Sequence, residues 1–220
     1  MAKDLAIVLS SGSLNSAVAA TLAAQRYRLV MVFADAQAPS PLPSRRRQAY
    51  DAQVSHFRPY REETLAMPFL SRWSGDAERV PSSADPRHRT AVAQQLLEVT
   101  PILGAAARLA GQFEAAAVYT GLRVGPASDD LAAATEFLQV WAELLQWPCG
   151  LGEVEMAAPL LELEPWQVVD VGVQVGAPLE KSWSCLEEGE TACGRCPGCR
   201  DRDSAFTQAG KADPLRPIKR

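Results

Sequence analysis

The chain has 220 residues, of which 47% are hydrophobic and 22% charged, an ordinary globular balance that excludes fibrous and disordered classes. A formal net charge of -4 argues against a dedicated nucleic-acid surface. No apolar run approaches the roughly 20 residues needed to cross a bilayer. The apolar part of the opening segment is too short for a secretory signal, so a cytoplasmic location is expected.

Asp4 to Leu9 reads as a buried strand that stops at Ser10-Ser-Gly-Ser13, a small-residue loop. Leu14 to Gln25 is Ala-rich with a serine at its start and reads as helix. Arg28 to Phe33 is a second strand. Arg45 to Phe57 is expected to be helical, with Tyr50, Val54 and Phe57 on one side, and Thr64 to Phe69 a third strand. Residues 71–89 are polar and contain Pro81 and Pro86, so they read as an exposed connection. Thr90 to Ala110 suits a buried helix broken or kinked near Pro101. Ala115 to Thr120 reads as strand, Leu131 to Gln146 as helix and Glu153 to Ala157 as strand. Glu164 to Val175 reads as helix with Pro165 in its first turn, and a short helix is expected near Asp201 to Gln208. This alternation predicts an α/β fold, a doubly wound parallel sheet whose ligands sit at the carboxyl ends of the strands. Three loops would meet there: Ser10–Ser16, Ala34–Gln37 and Gly121–Asp130.

Four of the five cysteines crowd together as Cys185, Cys193, Cys196 and Cys199. The spacing C-x7-C-x2-C-x2-C suits a closed four-thiolate metal site, which would hold the fold and leave no open position for catalysis. Structural zinc is the leading reading; an iron–sulfur cluster, unpaired thiols and disulfides are its rivals. Arg195, Arg200 and Arg202 could offset the thiolate charge. Cys149 reads as a small buried hydrophobe, and the tryptophans as core or interface anchors. His56 and His88 read as surface or packing features, and the run Ser44-Arg-Arg-Arg47 as a solvated face with phosphate or RNA contact as the alternative.

The cysteines lie within Ser182-Trp-Ser-Cys185, Cys193-Gly194, Cys196, Cys199, Arg202, Ala205-Phe206, Gly210 and Asp213-Pro214. This segment resembles the C-terminal signature of the 7-cyano-7-deazaguanine synthase family, the QueC-type PP-loop enzymes of queuosine biosynthesis. Gly176-Ala-Pro-Leu-Glu180, Pro159-Leu160 and Glu136-Phe137 are similar to further family motifs, so the likeness covers nearly the whole chain. The resemblance implies a Rossmann-like (adenine nucleotide alpha hydrolase-like) parallel sheet with helices on both faces. It divides the chain into a PP-loop domain, 1–180, and a zinc-binding element, 181–220, and it implies a homodimer. The family reaction activates the carboxylate of 7-carboxy-7-deazaguanine with ATP, converts it to an amide with ammonia, and dehydrates the amide to the nitrile in a further ATP-driven step.

The family's PP-loop reads S-G-G-x-D-S, and the resemblance places it on Ser10, Ser11, Gly12, Ser13, Leu14, Asn15 and Ser16. Ser13 replaces the second glycine, where a positive φ would be costly, and Asn15 replaces the aspartate. Both changes argue against the ATP and Mg2+ that the resemblance implies and favour a plain N-cap turn with weak anion affinity. Phe33 and Gln37 match the end of the family's second strand. Nothing within 95–101 supplies the family's Arg-Asn pair, and the family's lysine on a later helix aligns with Pro165. The aligned substrate loop, Gly121 to Phe137, has Pro126 for an aspartate and Ala132-Ala-Ala134 for Asp-Cys-Arg. Gly121, Arg123 and Ser128 remain as pocket candidates; Arg123, Asp129 and Asp130 otherwise read as exposed loop charges. The expected function is therefore that of a 7-cyano-7-deazaguanine synthase-like protein with impaired or lost catalysis. The alternatives are a zinc-stabilised scaffold or regulatory partner of another protein, and a ligase acting on a different small acid.

Overall fold

The computed structural model describes residues 4–36, 43–70 and 91–216; the expectations for Gln37, for His88 and for the polar connection fall outside these residues. Five strands, β1 (Leu5–Leu9), β2 (Arg28–Asp35), β3 (Arg61–Ala66), β4 (Ala117–Thr120) and β5 (Glu155–Ala157), form one sheet in the order β3-β2-β1-β4-β5. Every pairing is parallel, with Ile7 opposite Val30 on one side and Val118 on the other. The central strands are near-continuous apolar runs because both faces are covered. The strand order reverses between β1 and β4, which places a crevice at their carboxyl ends.

Six helices are described: α1 (Leu14–Arg26), α2 (Arg45–Phe57), α3 (Ala91–Phe113), α4 (Ser128–Gln146), α5 (Pro165–Gln174) and α6 (Pro197–Gln208), with a 3-10 turn at Leu179–Lys181 before α6. The period of two along the strands sorts them between layers. Ile7, Leu9, Val30, Val32 and Val118 pack against Leu103, Ala106, Leu109 and Ala110 of α3 and Leu145 of α4. On the other face, Ala6, Val8, Met31, Phe33 and Tyr119 pack against Ala20 and Ala23 of α1 and Tyr50 of α2. Burial raises the Tyr50 phenol well above its usual pKa, and its O–H donates to Met31 O at 3.0 Å. A third cluster joins α1 to α5 and α6 through Val18, Leu160, Val168, Leu179 and Phe206. Among the described residues, no helix is long and apolar enough to cross a membrane.

Three expectations about elements are corrected. β3 lies over Arg61–Ala66 rather than starting at Thr64, because the edge pairing with β2 begins at Val30↔Arg61. Pro101 sits inside α3 without breaking it; Leu103 and Ala106, on one face of the following turns, pack into the core and hold the helix through the missing N–H. Cys149 is exposed rather than buried, because it follows the end of α4 in an open turn beside Trp147, itself 77% exposed.

Candidate functional site

The loop after β1 turns directly into α1. Gly12 takes φ +72°, a left-handed conformation that glycine adopts without cost. A Cβ there would also collide with the Arg46 carbonyl in the first turn of α2. Ser13 sits at φ -79°, ψ 170°, ordinary extended backbone, so no positive φ is asked of it and its side chain strains nothing there. It is the N-cap of α1, and its Oγ accepts from Ser16 N–H at 3.3 Å. One of the N–H groups that a helix start offers to an anion is thereby already occupied. Asn15 Nδ2 donates to Gly121 O at 3.4 Å, a bond that a carboxylate could not make. Gly121 in turn lies so close that a Cβ would fall 2.9 Å from Ser16 N. The first and fourth strands thus deliver their loops into contact.

These loops border a cavity of about 850 Å³ at the carboxyl edge of the sheet. Ser10, Ser11, Ser13, Ser16, Thr120 and Gly121 form its polar floor, and Leu9, Val32, Ala34 and Ala36 continue it along the strands. The N-terminal half of α3 closes it with Leu97, Glu98, Pro101 and Ile102. Among the described lining residues, Arg46 is the one cation and Glu98 the one carboxylate. Gly12, Leu14 and Asn15 do not line this cavity; Leu14 is buried toward α5 and α6. Of the sequence-derived pocket candidates, Gly121 lines it. Phe33 instead packs on Tyr50 at 5.0 Å between centroids, Arg123 Nη1 donates to Leu163 O at 3.2 Å, and Ser128 is exposed at the start of α4. Asp129 and Asp130 occupy the first turn of α4, where negative charge suits the helix dipole.

The basic run at the start of α2 puts Arg46 on the cavity, while the tethers made by its neighbours were not legible in the sequence. Arg45 Nε donates to Gly189 O at 2.6 Å, and its guanidinium lies 5.9 Å from the Trp183 ring centroid. Arg47 pairs with Asp51 at 2.8 Å and lies over Phe33 and Tyr50. The run is therefore a set of tethers around the cavity-lining Arg46 rather than a uniformly solvated face. His56 is exposed and meets the Phe57 ring edge-on. Gln53 was also missed; its signal is a polar residue on the Tyr50–Val54–Phe57 side of α2.

The second cluster is built by the segment after the 3-10 turn and by the start of α6. Cys185, Cys193, Cys196 and Cys199 hold all four sulfurs within 4.8 Å of one another. Two of the separations are 3.9 Å, close to the ~3.8 Å edge of a tetrahedron with ~2.3 Å metal–sulfur arms. All five cysteines are free thiols. Backbone N–H groups of Leu186, Glu187, Cys193 and Cys196 each point at a sulfur at 3.4 Å, which favours thiolate. The Leu186 N–H is the main reason that Cys196 is lowered to about 6, whereas burial pushes Cys199 up to about 12. The donor set, its spacing and its N–H shell fit a tetrahedral cation, and the four cysteines could hold a metal ion.

Of the neighbouring arginines, Arg195 pairs with Glu187 and also interacts with the Cys193 sulfur, whereas Arg200 donates to Arg195 O. Arg202 is buried and binds Asp213 with two parallel bonds of 2.8 and 2.9 Å, while also donating to Ser182 Oγ and Leu179 O. That fork ties α6, the 3-10 turn and the C-terminal turn together.

The family model for "Queuosine biosynthesis protein QueC" matches residues 5–210. The 7-cyano-7-deazaguanine synthase of Koribacter versatilis (strain Ellin345) is 27% identical over 217 residues, covering 96% of this chain and 92% of that protein. The 7-cyano-7-deazaguanine synthase of Microcystis aeruginosa (strain NIES-843 / IAM M-2473) is 30% identical over 226 residues, covering 97% and 95% respectively. Among solved structures, a 4-thiouridine synthetase in an RNA complex with bound ATP matches with a TM-score of 0.53 at 16% identity. The match covers 94% of this chain and 50% of that one, and the likeness is one of fold.

Proposed function

The chain belongs to the QueC family of queuosine biosynthesis, and from that premise we propose a 7-cyano-7-deazaguanine synthase-like protein whose parent reaction is impaired or lost. One observation carries this reading. The stretch aligned with the family's substrate loop runs into the opening turns of α4, where Ala134 is 0% exposed against Val92, Leu96 and Leu122. An apolar contact occupies the position at which the resemblance expects an arginine. Ala132 and Ala133 offer no hydrogen bonds to a flat heterocycle or its carboxylate.

The phosphate end of the cavity supports the same reading. The serine hydroxyls and the start of α1 could receive a phosphate group, with Arg46 as counter-charge. Glu98 opposes that charge on the facing wall, and Ser13 competes for the Ser16 N–H. Structural zinc is the cation proposed for Cys185, Cys193, Cys196 and Cys199; it would supply cross-linking of the C-terminal segment and no open coordination position.

The test is a calorimetric titration of the zinc-replete protein with Mg-ATP, followed by an assay of nitrile formation from 7-carboxy-7-deazaguanine and ammonia. Weak or absent heat and no nitrile are expected. Micromolar binding with turnover would overturn the proposal.

A scaffold role has one observation of its own. Val140, Leu144 and Trp147 follow one another at helical spacing and are exposed at 56%, 39% and 77%. In that reading this stripe takes part in a homodimer. Trp147→Glu should then shift the sedimentation coefficient toward monomer, and an unchanged monomeric value for the unmodified chain would remove it.

A further inference from the structure

We propose that Gln53 is a positioning residue, whose buried carboxamide orders loop 10–16 and couples that loop to the cysteine element. The proposal rests on reading 10–16 as the anion-binding loop, but it concerns the order of the loop, which can be measured with no ligand present. Gln53 is 0% exposed and, with Tyr50, is one of the two buried residues of the otherwise polar α2. Its Oε1 accepts from the Ser10 hydroxyl at 2.9 Å. Its Nε2 donates to Lys181 O at 3.1 Å and to Ser13 O at 3.4 Å. The two carbonyls fix which end of the amide is nitrogen, since the reversed orientation would set oxygen against oxygen. Gln53 therefore uses both N–H bonds and its oxygen to join three segments far apart in the chain: the loop after β1, α2 itself and the 3-10 turn.

A second bond runs in parallel. The Trp183 backbone N–H donates to Gly12 O at 2.8 Å, and the Trp183 side chain packs against the cluster of Cys185, Cys196 and Cys199. Arg45 grips the same cysteine segment from the start of α2 through Gly189 O and Glu188 Oε2. The loop thus has one wall made of the cysteine element, and Gln53 is the polar joint in that wall. Its loss would cost Lys181 O its 3.1 Å bond and leave the Ser10 hydroxyl with the longer contact to Ser16 Oγ at 3.3 Å, while Ser13 O keeps the bonds from Ala17 N–H and Ser16 Oγ.

The experiment is hydrogen exchange read by mass spectrometry on the full, zinc-loaded chain, comparing wild type with Gln53→Met. Methionine keeps the length and apolar bulk and removes all three hydrogen bonds. Exchange in 10–16 and 179–183 should rise about tenfold or more, while β2, β4 and the zinc content stay unchanged. Unchanged protection in 10–16 would overturn the proposal. A uniform rise across the sheet would also overturn it, because that is the signature of a mere packing residue. Should the variant not fold, the wild type decides by itself. Withdrawing zinc with a chelator should loosen 10–16 before the sheet, and a loop indifferent to zinc would sink the coupling. Failure of Mg-ATP to bind would bear on the proposed function and leave these readouts intact.

Discussion

Between Ser182 and Asp213 the residues marked by the sequence pattern find partners: the four sulfurs converge, Ser182 receives Arg202, and Arg202 forks onto Asp213. At the carboxyl edge of the sheet the positions that depart from the family motifs serve their neighbours instead: Ser13 caps α1, Asn15 tethers Gly121 and Ala134 fills an apolar cluster. Neither region is damaged as structure. One holds the groups that tie the chain together, whereas the other holds groups that satisfy their neighbours. Loss of the parent reaction by this route, as proposed above, would leave no backbone strain at Ser13 by which to notice it.

The contrast can be challenged from either side. The largest effect is expected from Cys196→Ser, which should abolish zinc binding and cost on the order of 5 kcal/mol, about 10–20 °C in Tm. Metal analysis beside calorimetry checks it, and a folded, zinc-loaded variant would show the cluster to be dispensable. Arg202→Ala strands the Asp213 carboxylate, whose side chain is 5% exposed, and should cost about 3–5 kcal/mol by denaturant melts. On the ligand side, Ala134→Arg restores the residue type that the resemblance expects, but forces a charge between Val92, Leu96 and Leu122. It should destabilise by about 3 kcal/mol and gain no activity, and a stable variant with new nitrile formation would reverse the reading of α4. The smallest effect belongs to Ser13→Gly, at a few tenths of a kcal/mol, roughly the difference between these two caps. Combined with Asn15→Asp it should raise Mg-ATP affinity in the same titration, and no change there would mean that the loop is not what limits binding.

Much of the fold was legible because it rests on local patterns. Leu5–Leu9 and Arg28–Asp35 are apolar runs bounded by turn residues, Pro165 begins α5, and the cysteine spacing announces its own cluster. What could not be read depends on contacts made across the chain. The backbone angle of Ser13 is set by its role as a cap, whereas its neighbour Gly12 takes the left-handed turn under pressure from α2. Arg202 resembled a counter-charge for thiolates until Asp213 was seen beside it. Gln53 carried only a weak signal, an amide on an apolar helix side, because its three partners lie in segments that sequence alone does not bring together. The cavity wall from α3 was equally hidden, since Leu97, Glu98 and Pro101 match no motif.

The contact between Gly12 and the Arg46 carbonyl bears on how inherited motifs are interpreted. Here the glycine is demanded by a helix lying against its back, and Ser16 is buried among Ser10 and Ser13. Both letters would persist under selection for folding alone, long after nucleotide chemistry had ceased to matter. A pattern search that credits them as surviving function would be counting scaffolding. On the proposed reading, the informative letters are those that folding alone does not demand, such as the aspartate and arginine that the resemblance expects at positions 15 and 134.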